Sequence, residues 1–423
     1  MLGMIRKVPD WGRTAMKKTI RDIQDWQGKR VFLRVDFNVP QDEQGNITDD
    51  SRIRESLPTI QYLAERGARI VLTAHLGRPK GQPNPKYSLK PMAQRLRELL
   101  PQVPVTLADA VVSDRVTEQA NALQPGQILM LENVRFEPGE EKNDAALAQR
   151  FAALADIFVN DAFGAAHRAH ASTEGVGHYV REKVAGLLLE KEIIALSTVT
   201  EHPKRPLTAI IGGSKISTKI TVLTNLLNKV DTLIIGGGMA YTFLLAQGYE
   251  VGNSIVEKDH LETARQVMQA AGERGVSLFI PKDFIVANAF SNDAQMQEVS
   301  YDAFPAGWEG VDIGPKTREA IRALLSESGG TVLWNGPLGV FEMANFSHGT
   351  RAVAETVAEL TLAGKVYSVL GGGDTVAAIE AFNIPKTSFS HVSTGGGASL
   401  EYLEGKVLPG IAILDEAPAK AHA

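Results

Sequence analysis

Short apolar runs alternate with amphipathic stretches along the whole chain. In the first half the runs are "RVFLRV" from Arg30, "RIVLTAH" from Arg69, "QILMLENV" from Gln127 and "DIFVNDA" from Asp156. Between the first two, Ile53, Leu57, Ile60 and Leu63 recur at helical spacing and Gly67 supplies a stop, so the segment predicts a β-α-β unit. In the second half the runs are "LTAIIG" from Leu207, "DTLIIGGG" from Asp231, "SLFIPKD" from Ser277, "TVLWNG" from Thr331 and "VYSVLGGG" from Val366, with helical patterns such as "STKITVLTNLLNKV" and "GTRAVAETVAEL" between them. This alternation predicts parallel sheets with crossover helices, without a sequence repeat of fixed period. At the join, Leu187, Leu188, Ile194 and Leu196 form a helical pattern that ends at Pro203 and Pro206. It reads equally as one more core helix or as a helix bridging two lobes.

The chain has 423 residues, two to three times an ordinary domain, which favours two domains around two cores. Its 44% hydrophobic and 22% charged content is that of an ordinary globular protein. A formal net charge of -5 argues against a general nucleic-acid binder, so any anion site must be local. With no cysteine, disulfides, thiolate nucleophiles and Cys-based metal sites are excluded. No apolar run reaches the roughly 18 residues that span a bilayer. The start, "MLGMIRKVPDWGRTAMKK", lacks the continuous apolar core of a secretory signal, so a cytoplasmic location is expected, with ordered structure beginning near Lys17.

In open α/β sheets ligands bind beyond the carboxyl ends of the strands, and the two halves differ there. The first half follows its strands with Arg34, Asp36 and Asn38; His75 and Arg78; Glu132, Asn133 and Arg135; and Asn160, Asp161, His167, Arg168 and His170, while Arg52 stands one turn into the first helix. One such arginine would be an ordinary surface ion pair, and "RVDF" could hold a structural Arg-Asp pair. Repetition at successive ends points instead to a pocket for a small phosphorylated carboxylic acid, because guanidinium forks match carboxylate and phosphate oxygens. His167 and His170 are spaced by three residues, yet no HExxH and no third ligand accompany them, so they read as structural or anion-binding rather than zinc-binding. Arg168 is the first candidate for a phosphate clamp.

The second half ends its strands in glycine: "IIGGSKISTK", "IIGGGMAYTF", "WNGPLGVFE", "LGGGDT" and "STGGGAS". Glycine lets backbone amides approach phosphate oxygens, and a helix opening there adds its dipole. No Walker or dinucleotide fingerprint is present. Asp374 suits a nucleotide-bound Mg²⁺ and is equally compatible with an N-cap. Lys215 and Lys219 are spaced to share one helix face directly after a Gly-Gly turn, which favours anion binding over solvated surface lysines.

The motifs "RVDFNVP", "HLGRP", "LENVRF", "NDAFGAAHRAHAS", "GGSKISTKI", "IIGGGMAYTF", "WNGPLGVFE", "GGGDT" and "STGGGASLE" together resemble the phosphoglycerate kinase family in order and spacing, from about Lys17 to Leu414. The resemblance implies an α/β chain of two Rossmann-like parallel-sheet α/β/α domains joined by an interdomain helix and hinge. Residues 17–185 would bind 3-phosphoglycerate or 1,3-bisphosphoglycerate, 186–203 would form the helix, 204–400 would bind ADP or ATP with Mg²⁺, and 401–423 would pack back on the first domain with a disordered tail. Substrate contacts would fall on Asp36, Asn38, Arg52, His75, Arg78, Arg135 and Arg168. Nucleotide contacts would fall on Lys219, Gly310, Glu342 for the ribose, and Gly372, Gly373, Asp374 and Thr375, with Asp374 as the metal residue. Ser214, where the family often has alanine, an additional residue near "SESGG" and the N-terminal extension are the departures.

The implied reaction is 1,3-bisphosphoglycerate + ADP ⇌ 3-phosphoglycerate + ATP, carried out by a monomer after domain closure. A carboxylate is already ionised at neutral pH, so no general base is needed, and alignment with charge stabilisation does the catalysis. Arg52 and Lys219, joined by Lys215, would serve the transferring phosphoryl group, and Arg135 and Arg168 the other phosphate. The competing classes are a non-catalytic phosphometabolite-binding protein, which would need neither Lys219 nor Asp374, and a zinc hydrolase, for which the ligands are lacking.

Overall fold

A computed structural model describes residues 17–417, and the N-terminal extension 1–16 and the tail 418–423 lie outside the described residues. The chain divides into two units, one of residues up to Ile194 together with those from Val407 onward, the other Ala195–Lys406. The helix Leu187–Thr200 carries the chain across that division.

The first unit holds β1 Arg30–Arg34, β2 Arg69–Thr73, β3 Val105–Leu107, β4 Ile128–Met130, β5 Ile157–Asn160 and β6 Glu182–Ala185. They form a parallel sheet in the order β3-β4-β2-β1-β5-β6. The strands named from the sequence are all present, and β3 and β6 are additional. Both faces are covered by apolar side chains. The helix Ser51–Glu65 lays Ile53, Ile60 and Leu63 against Val31, Leu33, Ile70 and Leu72, all fully buried. On β1, Phe32 stacks against Phe151 and Phe158, with ring centroids 5.1 and 6.2 Å apart.

The last described residues belong to this unit. The Lys18 amide donates to the Asp415 carbonyl at 2.7 Å, the Asp415 amide to Lys183 at 2.9 Å, and the Asn160 side chain to the Gly410 carbonyl at 2.8 Å.

The second unit holds β7 Leu207–Ile211, β8 Thr232–Ile235, β9 Ser277–Phe279, β10 Asp283–Ala287, β11 Met296–Ser300, β12 Glu309–Ile313, β13 Gly330–Asn335, β14 Val366–Gly371 and β15 His391–Val392. Six of them form a parallel sheet in the order β15-β14-β13-β7-β8-β9, while β11-β10-β12 make a separate antiparallel sheet. That second sheet departs from the purely parallel expectation.

In each parallel sheet the chain leaves the central strand in one direction and later returns to its other side. The reversal lies between β1 and β5 in the first unit and between β7 and β13 in the second. Such reversals open a crevice at the carboxyl ends of the strands.

Candidate active site

The first unit brings its cations together around the β1–β5 reversal. Arg34, the last residue of β1, is completely buried, and each nitrogen of its guanidinium is engaged. Nε donates to Ser172 Oγ at 2.8 Å, Nη1 to the Val35 carbonyl at 2.6 Å and Nη2 to His75 Nδ1 at 3.1 Å. Asp36 pairs instead with Arg52, whose Nη1 lies 3.0 Å from Oδ2, so the Arg34-Asp36 pair that the sequence allowed does not form. Asn38 Oδ1 accepts the Gly77 amide at 2.9 Å, and Arg135 Nη1 donates to the Gly77 carbonyl at the same distance, which fixes the loop that carries Arg78.

Mutual repulsion marks this group as one positive field. Burial, followed by Arg34, Arg135, Arg52 and His170, pushes the His75 pKa well below its ordinary value. His170 is lowered to about 4 by burial, then by Arg135, Arg34, Arg168 and His167. Arg135 is itself lowered, first by burial, with Arg168 and Arg78 acting in the same direction. Arg78 and Arg168 are exposed at the rim. His170 is buried, and its Nδ1 has no hydrogen-bond partner in the protein. Like charges held this close, with imidazoles kept neutral as donors, are arranged for an anion of more than one charge.

Three carboxylates temper the field. Asp36 is one, Glu141 lies 3.8 Å from Arg135 Nε, and the third is Glu140, fully buried, which accepts from the Ser172 amide at 3.1 Å and from Ser172 Oγ at 2.5 Å. Neither Arg34 nor Glu140 was among the expected site residues. Arg34 showed its position in the sequence, whereas Glu140 sits in "EPGEEKND", where nothing separates it from surface acids.

In the second unit the β7–β13 reversal is made of backbone. The Gly212 amide donates to the Asn335 carbonyl at 2.9 Å and the Gly213 amide to Pro337 at 3.1 Å. A side chain at Gly212 would place its Cβ 2.1 Å from the Pro337 oxygen, so only glycine permits the approach. Lys219 reaches into this junction, and Nζ donates to Asn335 Oδ1 at 2.5 Å. Its pKa is lowered by burial, against the opposing pull of Asp374 and Glu404.

Asn335 Nδ2 is buried with no hydrogen-bond partner, beside Gly372, whose φ of +91° suits glycine. Gly373 opens the helix Gly373–Ala381, Asp374 is exposed in its first turn, and the Thr375 hydroxyl accepts the Gly336 amide at 2.7 Å. Asn335 was not singled out from the sequence, although it lies inside a quoted motif.

Lys215 differs from expectation. It is exposed and extended, followed by a 3-10 turn Ile216–Thr218, and the helix proper begins only at Ile220, so Lys215 and Lys219 do not share a helix face. Gly310 lies on β12, where its amide donates to Ser254 Oγ at 2.8 Å and the Tyr241 ring leaves no room for a Cβ. Glu342 is exposed. Among the described residues, neither is hydrogen-bonded or charge-coupled to Lys219.

Among the described residues no three His, Asp or Glu side chains gather around a common point that could hold a metal ion. An exposed single carboxylate at Asp374 suits Mg²⁺ that arrives on a nucleotide, since that ion is commonly held by one or two carboxylates and the phosphates. No helix among the described residues is long and apolar enough to cross a membrane.

One unit with converging guanidinium and imidazole groups, and another with a glycine-lined strand junction around a lysine, define an α/β phosphotransferase. The family model for phosphoglycerate kinase matches residues 20–406. The chain belongs to the phosphoglycerate kinase family.

Phosphoglycerate kinases of Chloroflexus aurantiacus and Chloroflexus aggregans are 56% and 55% identical to it over 402 residues, covering 95% of this chain and 99% of each relative. The solved structure of phosphoglycerate kinase from Coxiella burnetii superposes with a TM-score of 0.86 at 46% identity, covering 94% of this chain and 98% of that one. The enzyme from Pyrococcus horikoshii OT3 gives 0.77 at 30% identity, with the same coverage. The reaction is thus reversible phosphoryl transfer between a phosphoglycerate carboxyl group and ADP or ATP.

Proposed function

We propose that the first-unit cluster binds 3-phosphoglycerate or 1,3-bisphosphoglycerate through Asp36, Asn38, Arg52, His75, Arg78, Arg135 and Arg168. In this reading Arg135 and Arg168 hold the phosphate that does not react. The nucleotide is bound by Lys219, Gly310, Glu342 and Gly372 to Thr375. Mg²⁺ comes with the nucleotide, beside Asp374, and neutralises phosphate charge. Arg52, Lys219 and Lys215 stabilise the transferring phosphoryl group.

The observation that carries the reading is the field around His75 and His170. Four arginines held around two buried imidazoles cost stability unless an anion is bound there, and His170 Nδ1 lacks a protein partner. Such a site is rich in donors and poor in bases, which suits a nucleophile that is already a carboxylate. Each substrate has its own unit in this assignment, so transfer requires the loaded units to come together, and water expelled on closure can no longer hydrolyse the acyl phosphate. The protein acts as a cytoplasmic monomer without nucleic-acid partners.

The test is Mg²⁺-dependent transfer between ATP and 3-phosphoglycerate, with wild type and Arg168→Ala side by side. Loss of one charge-assisted contact should raise the KM for 3-phosphoglycerate about 10- to 100-fold and leave the KM for MgATP unchanged. An unchanged phosphoglycerate KM would remove Arg168 from the site.

A further inference from the structure

Four strand ends of the first unit are tied by one buried chain of polar groups. Glu140 follows the turn after β4, Ser172 follows β5, Arg34 ends β1 and His75 follows β2. All four are buried, with exposures of 0%, 0%, 0% and 6%. The Ala171 amide donates to the Glu140 carbonyl at 2.9 Å, and the Glu140 carboxylate takes both the amide and the hydroxyl proton of Ser172. With its proton spent on Glu140, the Ser172 hydroxyl presents a lone pair to Arg34 Nε at 2.8 Å. Arg34 Nη2 then donates to His75 Nδ1 at 3.1 Å.

The bonds that Arg34 makes can run in one direction only. A guanidinium only donates, so His75 Nδ1 must accept and the ring proton must lie on Nε2. The chain therefore leaves Nε2–H as the donor with which His75 can meet an anion. A buried guanidinium needs an opposing charge to stay in place, and Glu140 leads the groups that act in that sense on Arg34, ahead of Asp36, which is already engaged by Arg52.

We infer that Glu140 is a positioning residue for the reaction: through Ser172 it holds Arg34, and Arg34 holds His75 as the Nε2–H tautomer facing the substrate. The inference deepens the proposed substrate site and rests on its assignment of His75. Glu140 itself touches no substrate in this account. Its effect should therefore fall on phosphoglycerate binding rather than on the transfer step, which uses Arg52 and Lys219.

The experiment compares wild type, Glu140→Gln, Glu140→Asp and Ser172→Ala by steady-state kinetics and by ¹⁵N NMR of the histidine rings, with His75→Asn identifying the His75 signals. In wild type, His75 Nδ1 should resonate as an unprotonated acceptor and Nε2 as protonated. Glu140→Gln should raise the KM for 3-phosphoglycerate roughly tenfold, leave kcat and the KM for MgATP within about twofold, and move the His75 signals toward a mixture of tautomers. Glu140→Asp, which restores the charge, should recover part of both effects. Ser172→Ala keeps the carboxylate but cuts the relay, and should act like Glu140→Gln; it decides the matter alone if the glutamate variants do not fold.

Unchanged His75 signals in folded Glu140→Gln or in Ser172→Ala would overturn the relay. Altered signals with an unchanged phosphoglycerate KM would support the relay and overturn instead the assignment of His75 to the substrate.

Discussion

Lys219 is the residue in the second unit whose surroundings most restrict its role. It is half-buried, donates to Asn335 and feels the charges of Asp374 and Glu404. Burial lowers its pKa and the two carboxylates oppose the shift, so the ammonium is kept charged with little competing solvent. A preorganised cation of this kind stabilises charge that develops in the transition state, and Lys219→Ala should lower kcat by roughly 10²- to 10³-fold with a smaller effect on KM for either substrate. Single-turnover kinetics would separate the chemical step from product release, and a near-normal chemical step would remove Lys219 from the transition state. Lys219 was legible from its place after a Gly-Gly turn, and Arg168 from its place in a repeated series of basic strand ends. Arg34 was visible but its partner was not, because short spacing to Asp36 suggests a pair while the fold gives Asp36 to Arg52. Glu140 and Asn335 were not legible, since what distinguishes them is burial, and burial depends on residues distant in sequence.

At the scale of elements, the apolar runs identified most strands of the two parallel sheets and missed three short ones and the whole antiparallel sheet. β3, β6 and β15 are short and polar residues fall within them, and β11, Met296–Ser300, is mostly exposed. In the antiparallel sheet the central β10 is an apolar run but its neighbours β11 and β12 carry polar residues, and the setting of Gly310 was missed with them. The glycine-rich strand ends were legible as close-approach points, and Gly212 shows why. An added Cβ would lie 2.1 Å from the Pro337 oxygen and 2.5 Å from that of Gly336, both backbone atoms that a rotamer change cannot move. Gly212→Ala should therefore separate the ends of β7 and β13, costing about 1–3 kcal/mol and weakening ADP binding measured by titration calorimetry, while 3-phosphoglycerate binding stays intact. Gly272→Ala is the control. That glycine lies in the helix Leu261–Glu273 with nothing within 4 Å of the new methyl, so the change should be neutral or stabilising by roughly 0.5–1 kcal/mol. Equal loss of ADP affinity in both variants would show that the strand junction is not the cause.

At the scale of the whole molecule, the charge that makes the first unit fit for an anion also sets how that unit responds to acid. His75 and His170 are buried neutral, with folded pKa values below the ordinary 6.5 and, for His170, about 4. The unfolded chain binds protons at these positions that the folded unit refuses, so their contribution to stability is complete above about pH 6.5 and is lost as pH falls toward 4. Buried acids act oppositely. Burial raises Glu140 and Asp161 to about 7, so the folded unit binds their protons more readily than the unfolded chain, and they favour folding as pH falls through 7. The two trends overlap, which is why the pH profile of the wild type alone would conceal both. The difference between wild type and His170→Asn cancels the carboxyl part. Measured by amide exchange of β1 and β5, which reports on the first unit alone, that difference should change by about 1.4 kcal/mol per pH unit between pH 6 and 4.5, with the variant losing less stability. Because an anion bound among these groups raises the folded pKa of both rings toward the unfolded value, saturating 3-phosphoglycerate should make the loss smaller in wild type. A pH-independent difference between the two proteins would mean that His170 is not held neutral, and the account of the first unit as a concentrated positive field would fail with it.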